Sequence, residues 1–248
     1  MRSILVCVQF RFLLERIHHA QTLSFPLCPV RPDAVPLSQA GRPLSTDDAG
    51  TVGHLHYQIE GWRESADNQH STVLAPAVGL GEAEIGLEFG KTHAPDGLRI
   101  RDQALALKWA PEALSIGPLR FAAKAWHARS NETLEGEQSR THENGALAIA
   151  SWTLTESVAA HLNLGLARNR EAQRNERIAN LGVSWAAHPR ATLFAEVLHQ
   201  QHAPTTQATG LRLWAIPETF ALDLTLAREA GVQHSRSIGI GFGWYGDF

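Results

Sequence analysis

The sequence contains no long hydrophobic run. Its 248 residues nowhere provide the ~18 consecutive apolar positions that a transmembrane helix requires, so helical membrane spanning is excluded. A membrane-spanning β-strand needs only ~10 residues of alternating character. Such strands leave the overall composition ordinary, as it is here, with 44% hydrophobic and 19% charged residues.

Cysteine is almost absent, and basic residues are not in excess. Both cysteines, Cys7 and Cys28, fall near the N-terminus. Neither a disulfide framework nor a cysteine-based metal site can therefore form in the remainder of the chain. The net charge is -3, and no clustered basic stretch of the kind that binds nucleic acid is present, so we expect no nucleic-acid partner.

Common catalytic motifs are missing as well. The sequence has no HExxH, CxxC or GxSxG pattern, and its 13 histidines are scattered. We therefore expect no enzymatic activity and no cofactor. Metal binding by His54 and His56 on one strand face, and a catalytic pair formed by His234 and Ser235, stay as minor alternatives.

The first 40 residues differ from the rest of the chain. A basic start leads into the apolar stretch "SILVCVQFRFLL", and "AVPLSQA" ends on small residues, as before a signal-peptidase site. We interpret residues 1–40 as a signal peptide or a leader with a misassigned start. A disordered or amphipathic arm is the alternative. Residues 41–51 would then be a periplasmic N-terminal segment, and 52–248 the folded domain.

From Val52 onward, stretches in which apolar and polar residues alternate recur along the chain. Leu162, Leu164 and Leu166, for example, oppose His161 and Asn163. Period-2 alternation indicates half-buried strands and fits these stretches better than a helical period does. About twelve strands are predicted: 52–63, 72–80, 83–92, 98–109, 118–129, 143–155, 158–169, 176–187, 191–201, 208–216, 219–228 and 237–248. In "GALAIASWTLT" the apolar parity slips between Ile149 and Trp152, which indicates a bulge or a weak strand.

The connections between these strands alternate in length. Short turns such as "LGEA", "TES" and "PET" alternate with longer polar segments such as "SNETLEGEQSRTH". Outer-membrane barrels have short periplasmic turns and long external loops. The pattern therefore favours a closed antiparallel transmembrane β-barrel with both ends of the barrel domain in the periplasm.

Tryptophan recurs at one predicted end of the strands. Indole rings favour the membrane–water interface, where an apolar body and a polar N–H are both satisfied. Trp109, Trp185 and Trp244 lie in phase with the apolar positions of their strands, whereas Trp152 and Trp214 fit that phase less clearly. We predict an interface girdle of Trp109, Trp185 and Trp244, with Trp152 and Trp214 as weaker members.

The face opposite the apolar one is rich in small and charged residues. Small side chains suit the crowded interior of a closed barrel. The predicted lumen-lining residues are Glu60, Glu82, Glu84, Glu88, Lys108, Arg120, Lys124, His161, Asn163, Glu196, Arg212 and Asp223. Opposite charges on nearby walls would either pair and fill the lumen or frame a narrow channel, and simple pairing is at least as favoured.

The last strand, "RSIGIGFGWYGDF", places large apolar residues on one face and glycines on the other. We expect the apolar face to meet lipid and the glycines to leave room in the lumen. Phe242, Trp244 and the terminal Phe248 share this face and form a candidate signal for the barrel-assembly machinery.

A short motif carries a family resemblance. In "GRPLSTDDAGTVGHLHYQIEGWRES", the residues Arg42, Pro43, Leu44, Thr46, Asp47, Asp48 and Ala49 lead through a glycine to Gln58 and Glu60. This segment resembles the N-terminus of the outer-membrane proteins of the MetA pathway of phenol degradation, which are often described as transporters. The resemblance implies an outer-membrane barrel that forms a channel for small solutes, aromatic ones among them.

These observations predict an outer-membrane barrel surrounded by lipid that passes or binds a small-molecule solute. Residues 41–51 would lie at the periplasmic mouth or fold inside as a partial plug. Asp47 and Asp48 would cap a turn or, less favoured, attract cations. The alternatives are a structural barrel without an open pore and a soluble, lipocalin-like ligand-binding protein.

Overall fold

A computed structural model describes residues 44–67, 69–94, 97–230 and 235–248. They form twelve antiparallel strands in a closed barrel, as predicted. The strands are β1 (His56–Ala66), β2 (Gln69–Leu80), β3 (Ala83–His93), β4 (Arg99–Trp109), β5 (Leu119–Leu134), β6 (Glu137–Thr153), β7 (Val158–Asn169), β8 (Arg174–His188), β9 (Ala191–Gln200), β10 (Thr206–Ile216), β11 (Phe220–Glu229) and β12 (Arg236–Asp247). Each predicted strand overlaps one of these. The predicted leader, residues 1–40, lies outside the described residues.

Closure joins the last strand to the first. Ile59 of β1 lies opposite Trp244 of β12, and the pairing runs along all of β1 without a register shift. The other strands pair with their sequence neighbours. Every strand therefore has hydrogen-bonded partners on both sides, as a hydrocarbon environment requires. No helix among the described residues is both long and apolar enough to cross a bilayer.

The barrel has two distinct ends. At one of them β1 begins and β12 finishes, and we call it the terminal end. The opposite end, which includes Asp67 between β1 and β2, is the loop end.

The outer surface is apolar and the interior is polar. Large apolar side chains such as Leu105, Leu166 and Ile240 are each more than half exposed on the outside. Many buried inner positions are instead polar or charged, among them Gln58, Glu60, Lys108, His161, Asn163, Glu196, Arg212 and Asp223. A contiguous exposed apolar belt of this extent is stable only against lipid. The distribution is opposite to that of a lipocalin-like soluble barrel, and it overturns that alternative.

The predicted difference in connection length is wrong. Residues 130–142, predicted as a long external loop, continue β5 and β6 and turn within Glu135 and Gly136, both of which have positive φ. The longest connection, residues 110–118, lies instead at the terminal end and contains a single 3₁₀ turn, Glu112–Leu114. Strands that extend beyond the apolar belt are polar on both faces, so their sequence resembles that of a loop.

Strand β6 contains no bulge at the predicted slip in apolar parity between Ile149 and Trp152. It pairs with β5 and β7 in continuous register. Leu147 and Ile149 face inward, where they form a buried cluster with Ala49 and Ala122. Ala49 belongs to the N-terminal segment, so an apolar patch of the inner wall packs against a part of the chain that lies inside the barrel.

Candidate functional site

The N-terminal segment runs through the barrel interior. Residues 44–53, which we call the plug, contact inward-facing side chains of β3 to β7 and of β9. They reach the terminal end where β1 begins. Of the two positions predicted for residues 41–51, the structure shows the one inside the lumen for residues 44–51; residues 41–43 lie outside the described residues.

The start of the plug is held by a buried carboxylate. Glu196 on β9 accepts hydrogen bonds from the amides of Ser45 and Thr46, at 2.9 and 2.7 Å, and from the Thr46 hydroxyl at 2.8 Å. Gly182 on β8 leaves space for this contact, because a Cβ there would lie 3.1 Å from the Thr46 Cβ. The small residues predicted for the inner face thus make room for the chain itself.

Asp47 and Asp48 pair with lysines on the wall. Asp47 accepts a hydrogen bond from Lys124 Nζ at 2.8 Å. Lys108 Nζ lies 3.7 Å from Asp47 Oδ1 and 3.5 Å from Asp48 Oδ1. Burial alone would raise the pKa of the Asp47 carboxyl, but the charges of Lys124 and Lys108 lower it overall. Asp47 is therefore ionised inside the barrel.

Uncharged groups fix the rest of the plug. Asn163 accepts a hydrogen bond from the Asp47 amide at 2.8 Å and donates one to the Asp47 carbonyl at 2.7 Å. Ser151 Oγ accepts from the Ala49 amide and is also bonded to His161 Nδ1, both at 2.8 Å. This partly buried serine–histidine pair lies against the plug, and its hydroxyl holds the plug in place.

The opposite side of the lumen is occupied by a second charged network. Arg212 on β10 donates to both carboxylate oxygens of Asp223 at 2.8 Å and to the Tyr245 hydroxyl at 2.6 Å. It also lies 3.3 Å from Glu60 Oε1, which accepts from Tyr245 at 2.7 Å. The plug and this network thus lie on opposite sides of the lumen toward the terminal end.

Above the plug lies a cavity of about 480 Å³. Ser45, Thr46 and Asp47 contribute to it, and its walls include Gln58, Trp62, Glu88, Trp126 and Asn180. Gln58 Oε1 and Lys108 Nζ also border this region; both are buried and have no hydrogen-bond partner among the described residues. A cavity of this size, with two indoles and several polar groups, can accommodate a small organic molecule.

The inner wall of the loop-end half is acidic. Its inward strand positions carry Glu64, Glu88, Asp102, Glu132, Glu143, Glu176 and Glu229. Arg174 is the basic residue at such a position in this half, and it is paired with Glu176. We call this loop-end half of the lumen, with the cavity at its base, the vestibule. Its excess of acidic side chains favours cations.

Most predicted lumen residues do face inward. Those on the inner wall are Glu60, Glu84, Glu88, Lys108, Lys124, His161, Asn163, Glu196, Arg212 and Asp223. Arg120 has an inward register position at the terminal rim, where it is exposed. The prediction is wrong for Glu82, which lies in the exposed β2–β3 turn and accepts a hydrogen bond from the Glu112 amide. The alternation of inward and outward side chains holds only within a strand, so it does not apply to Glu82 in the turn.

Four of the five girdle tryptophans point outward near the terminal end. Trp109, Trp152, Trp185 and Trp244 are each about half exposed there. Trp214 does not join them, because it shares the inward parity of Arg212 on β10. Its ring lies 5.4 Å from that of Tyr245 and under the Arg212 guanidinium.

Sequence reasoning missed several residues of the site. Tyr245, Ser151, Trp62 and Trp126 all have inward parity in their strands, which was the available signal. Trp126 donates from its indole nitrogen to Glu143 at 3.0 Å and lies directly over Gly145. No group of three or more metal-ligating side chains occurs among the residues that the structure describes.

Solved structures with the same fold are outer-membrane barrels. A KdgM porin in complex with disordered oligogalacturonate has a TM-score of 0.56 and 10% identity, over 75% of this chain and 98% of that one. The NanC porin has a TM-score of 0.56 and 11% identity, over 76% and 98%. Outer membrane phospholipase A from Escherichia coli has a TM-score of 0.50 and 10% identity, over 77% and 92%. At these identities the likeness is one of fold.

Neither a family model nor the sequence of a curated protein matches the chain. The closed twelve-stranded barrel and its exposed apolar belt nevertheless both indicate a membrane environment. Because a belt of this kind on a closed antiparallel barrel requires a bilayer, the chain is an outer-membrane β-barrel.

Proposed function

We propose that the protein passes small solutes across the outer membrane through its lumen, and that the plug closes this route at rest. The observation that supports this most strongly is the mainly polar character of the contacts between the plug and the barrel wall. Its contacts to the walls are mainly hydrogen bonds and ion pairs, with one small apolar cluster and close packing of Thr46 and Gly53 against wall glycines. Such contacts can be released without unfolding the barrel.

The vestibule favours cationic and aromatic solutes. Its acidic wall attracts cations, and Trp62 and Trp126 offer aromatic faces within the cavity. This chemistry differs from what an acidic sugar polymer such as oligogalacturonate would need. It agrees with the resemblance to outer-membrane proteins of the MetA pathway of phenol degradation, and we propose membership of that family on this basis.

Conductance in planar bilayers tests the transport proposal. The wild-type barrel is expected to open rarely, and a potassium chloride gradient should give a reversal potential of the sign for cation selectivity. The absence of channel events from both the wild type and a variant with a weakened plug would contradict transport. The plug and the Arg212 network in the terminal half of the lumen would then support the alternative, a structural barrel without an open pore.

Substitution of Gly145 is expected to weaken solute binding in the vestibule. A Cβ at Gly145 would lie 1.9 Å from the Trp126 ring, so the indole must move and lose its bond to Glu143. Gly145→Ala should reduce the affinity for benzylammonium, measured by calorimetry in detergent, by roughly threefold to tenfold. Gly86→Ala is the matched control, because it lines the same cavity and its Cβ meets nothing closer than 3.7 Å. Equal affinities for the two variants would rule out Trp126 as part of the binding site.

We also propose that Phe248 acts in assembly by the barrel-assembly machinery. Its side chain is 79% exposed, and its amide donates to the Leu55 carbonyl at 3.0 Å. Phe248→Ser should therefore lower the amount of barrel in the outer membrane several-fold, while the barrel refolded in detergent loses no more than about 1 kcal/mol of stability. Ile116→Ser, at an exposed apolar residue of the same end, is the control. Normal membrane levels of the Phe248 variant would contradict the proposal.

A further inference from the structure

On the described strands, the outer surface of the barrel carries charges of one sign only. Every charged side chain at an outward position of the described strands is Lys or Arg, and all lie toward the loop end. These residues are Arg63, Lys91, Arg99, Arg101, Arg129, Arg140, Arg168, Arg177, Arg228 and Arg236. The acids of the same half face the lumen. The two signs are thus separated across the thickness of the wall.

Five of these residues form a cluster on four adjacent strands. Lys91 on β3, Arg99 and Arg101 on β4, Arg129 on β5 and Arg140 on β6 share the outer face. We call them the basic cluster. Lys91 lies directly opposite Arg101 in the β3–β4 register. Two like charges at directly opposed positions destabilise a sheet unless an anion lies between them.

The hydrogen bonds within the basic cluster lack a negative partner. Arg129 and Arg140 both donate to the side-chain oxygen of Asn131, at 3.1 to 3.2 Å. None of the five forms an ion pair with a carboxylate in the part of the chain that the structure describes. Glu171 lies near this face, but it pairs with His142. Two guanidinium groups that converge on one neutral oxygen leave most of their donors available.

The basic cluster begins where the apolar belt ends. Lys91 is the next outward position after Phe89, which is 45% exposed. On β4, Leu105 is followed toward the loop end by Gln103 and then Arg101. Side chains at this height lie at the level of the lipid headgroups, just beyond the hydrocarbon core.

We propose that the basic cluster binds the phosphate groups of a phosphorylated glycolipid in the outer leaflet. Arginine guanidinium groups match phosphate oxygens with paired N–H donors, and the adjoining apolar belt receives the acyl chains of the same lipid. The phosphate supplies the missing negative charge between Lys91 and Arg101. This assignment directs the loop end outward from the cell, and it does not depend on the channel proposal.

Lipid binding by the purified, folded barrel tests the proposal. Lipid A is the phosphorylated probe and dephosphorylated lipid A is the comparison, with bound lipid counted by native mass spectrometry. Wild type should bind lipid A at least tenfold more tightly than the dephosphorylated form. K91Q/R101Q/R129Q should lose most of that difference. R120Q/R190Q, which removes two exposed basic residues at the terminal end, should keep it.

Three results would overturn the proposal. They are equal binding of the two lipids by wild type, unchanged preference in the triple variant, and competition by millimolar inorganic phosphate that displaces lipid A completely. The last result would identify a free-anion site instead. The wild-type comparison does not require any variant to fold, so failure of the triple variant to assemble leaves the test decisive.

Discussion

Replacing Asp47 and Asp48 together with asparagine is expected to open the barrel. Both carboxylates lie beside Lys108, whose side chain is only 3% exposed. Removing one partner of a buried ion pair costs about 3–5 kcal/mol. Glu84 lies opposite Lys108 in the β3–β4 register and compensates part of this charge. The remaining destabilisation applies only while the plug is in place, so the plugged state loses population.

The expected result is an open probability in planar bilayers that is roughly ten to a hundred times that of the wild type. E112Q/E156Q, which neutralises two exposed acids at the terminal end, is the matched control and should conduct as the wild type does. Heat-dependent mobility on gels would verify that both variants contain a folded barrel. Unchanged conductance of the D47N/D48N variant would show that the plug does not control the lumen.

The strands themselves were predictable from the sequence because lipid imposes a simple rule. Outward positions within the apolar belt must be apolar, so β7 and β11 alternate without exception there. The rule stops where the strand leaves the hydrocarbon. Residues 130–133 and 137–142 are polar on both faces and therefore carry no period-2 signal, although they are regular strand on either side of the Glu135–Gly136 turn.

The plug was only partly predictable. Its residues include a motif that resembles one in known outer-membrane proteins and two acids, Asp47 and Asp48. Periodicity within one strand, however, says nothing about which residues from distant strands converge. Leu147 and Ile149 show this limit well. An inward apolar pair contradicts the alternation until Ala49 is placed against it. Trp214 differs, because its shared parity with Arg212 was available in the sequence and only its contact with Tyr245 was not.

The two charged assemblies of the lumen differ in what holds them. The plug is a separate segment, so weakening its ion pairs releases it. Arg212, Asp223, Glu60 and Tyr245 all belong to barrel strands, β10, β11, β1 and β12. This network spans the closure between the first and last strands, so damage to it should reduce the stability of the barrel.

Arg212→Met is accordingly expected to destabilise the folded barrel by about 3–5 kcal/mol, because it leaves two buried carboxylates without their cation. Urea titration of the barrel in lipid vesicles would measure this loss. Neutralising Arg212, Asp223 and Glu60 together should cost less stability, because a neutral network of similar shape needs no compensating charge. R212M/D223N/E60Q should therefore recover most of the stability that the single variant loses. A triple variant as unstable as the single one would show that the packing of Arg212 against Trp214 and Tyr245 stabilises the barrel closure, and that its charge does not.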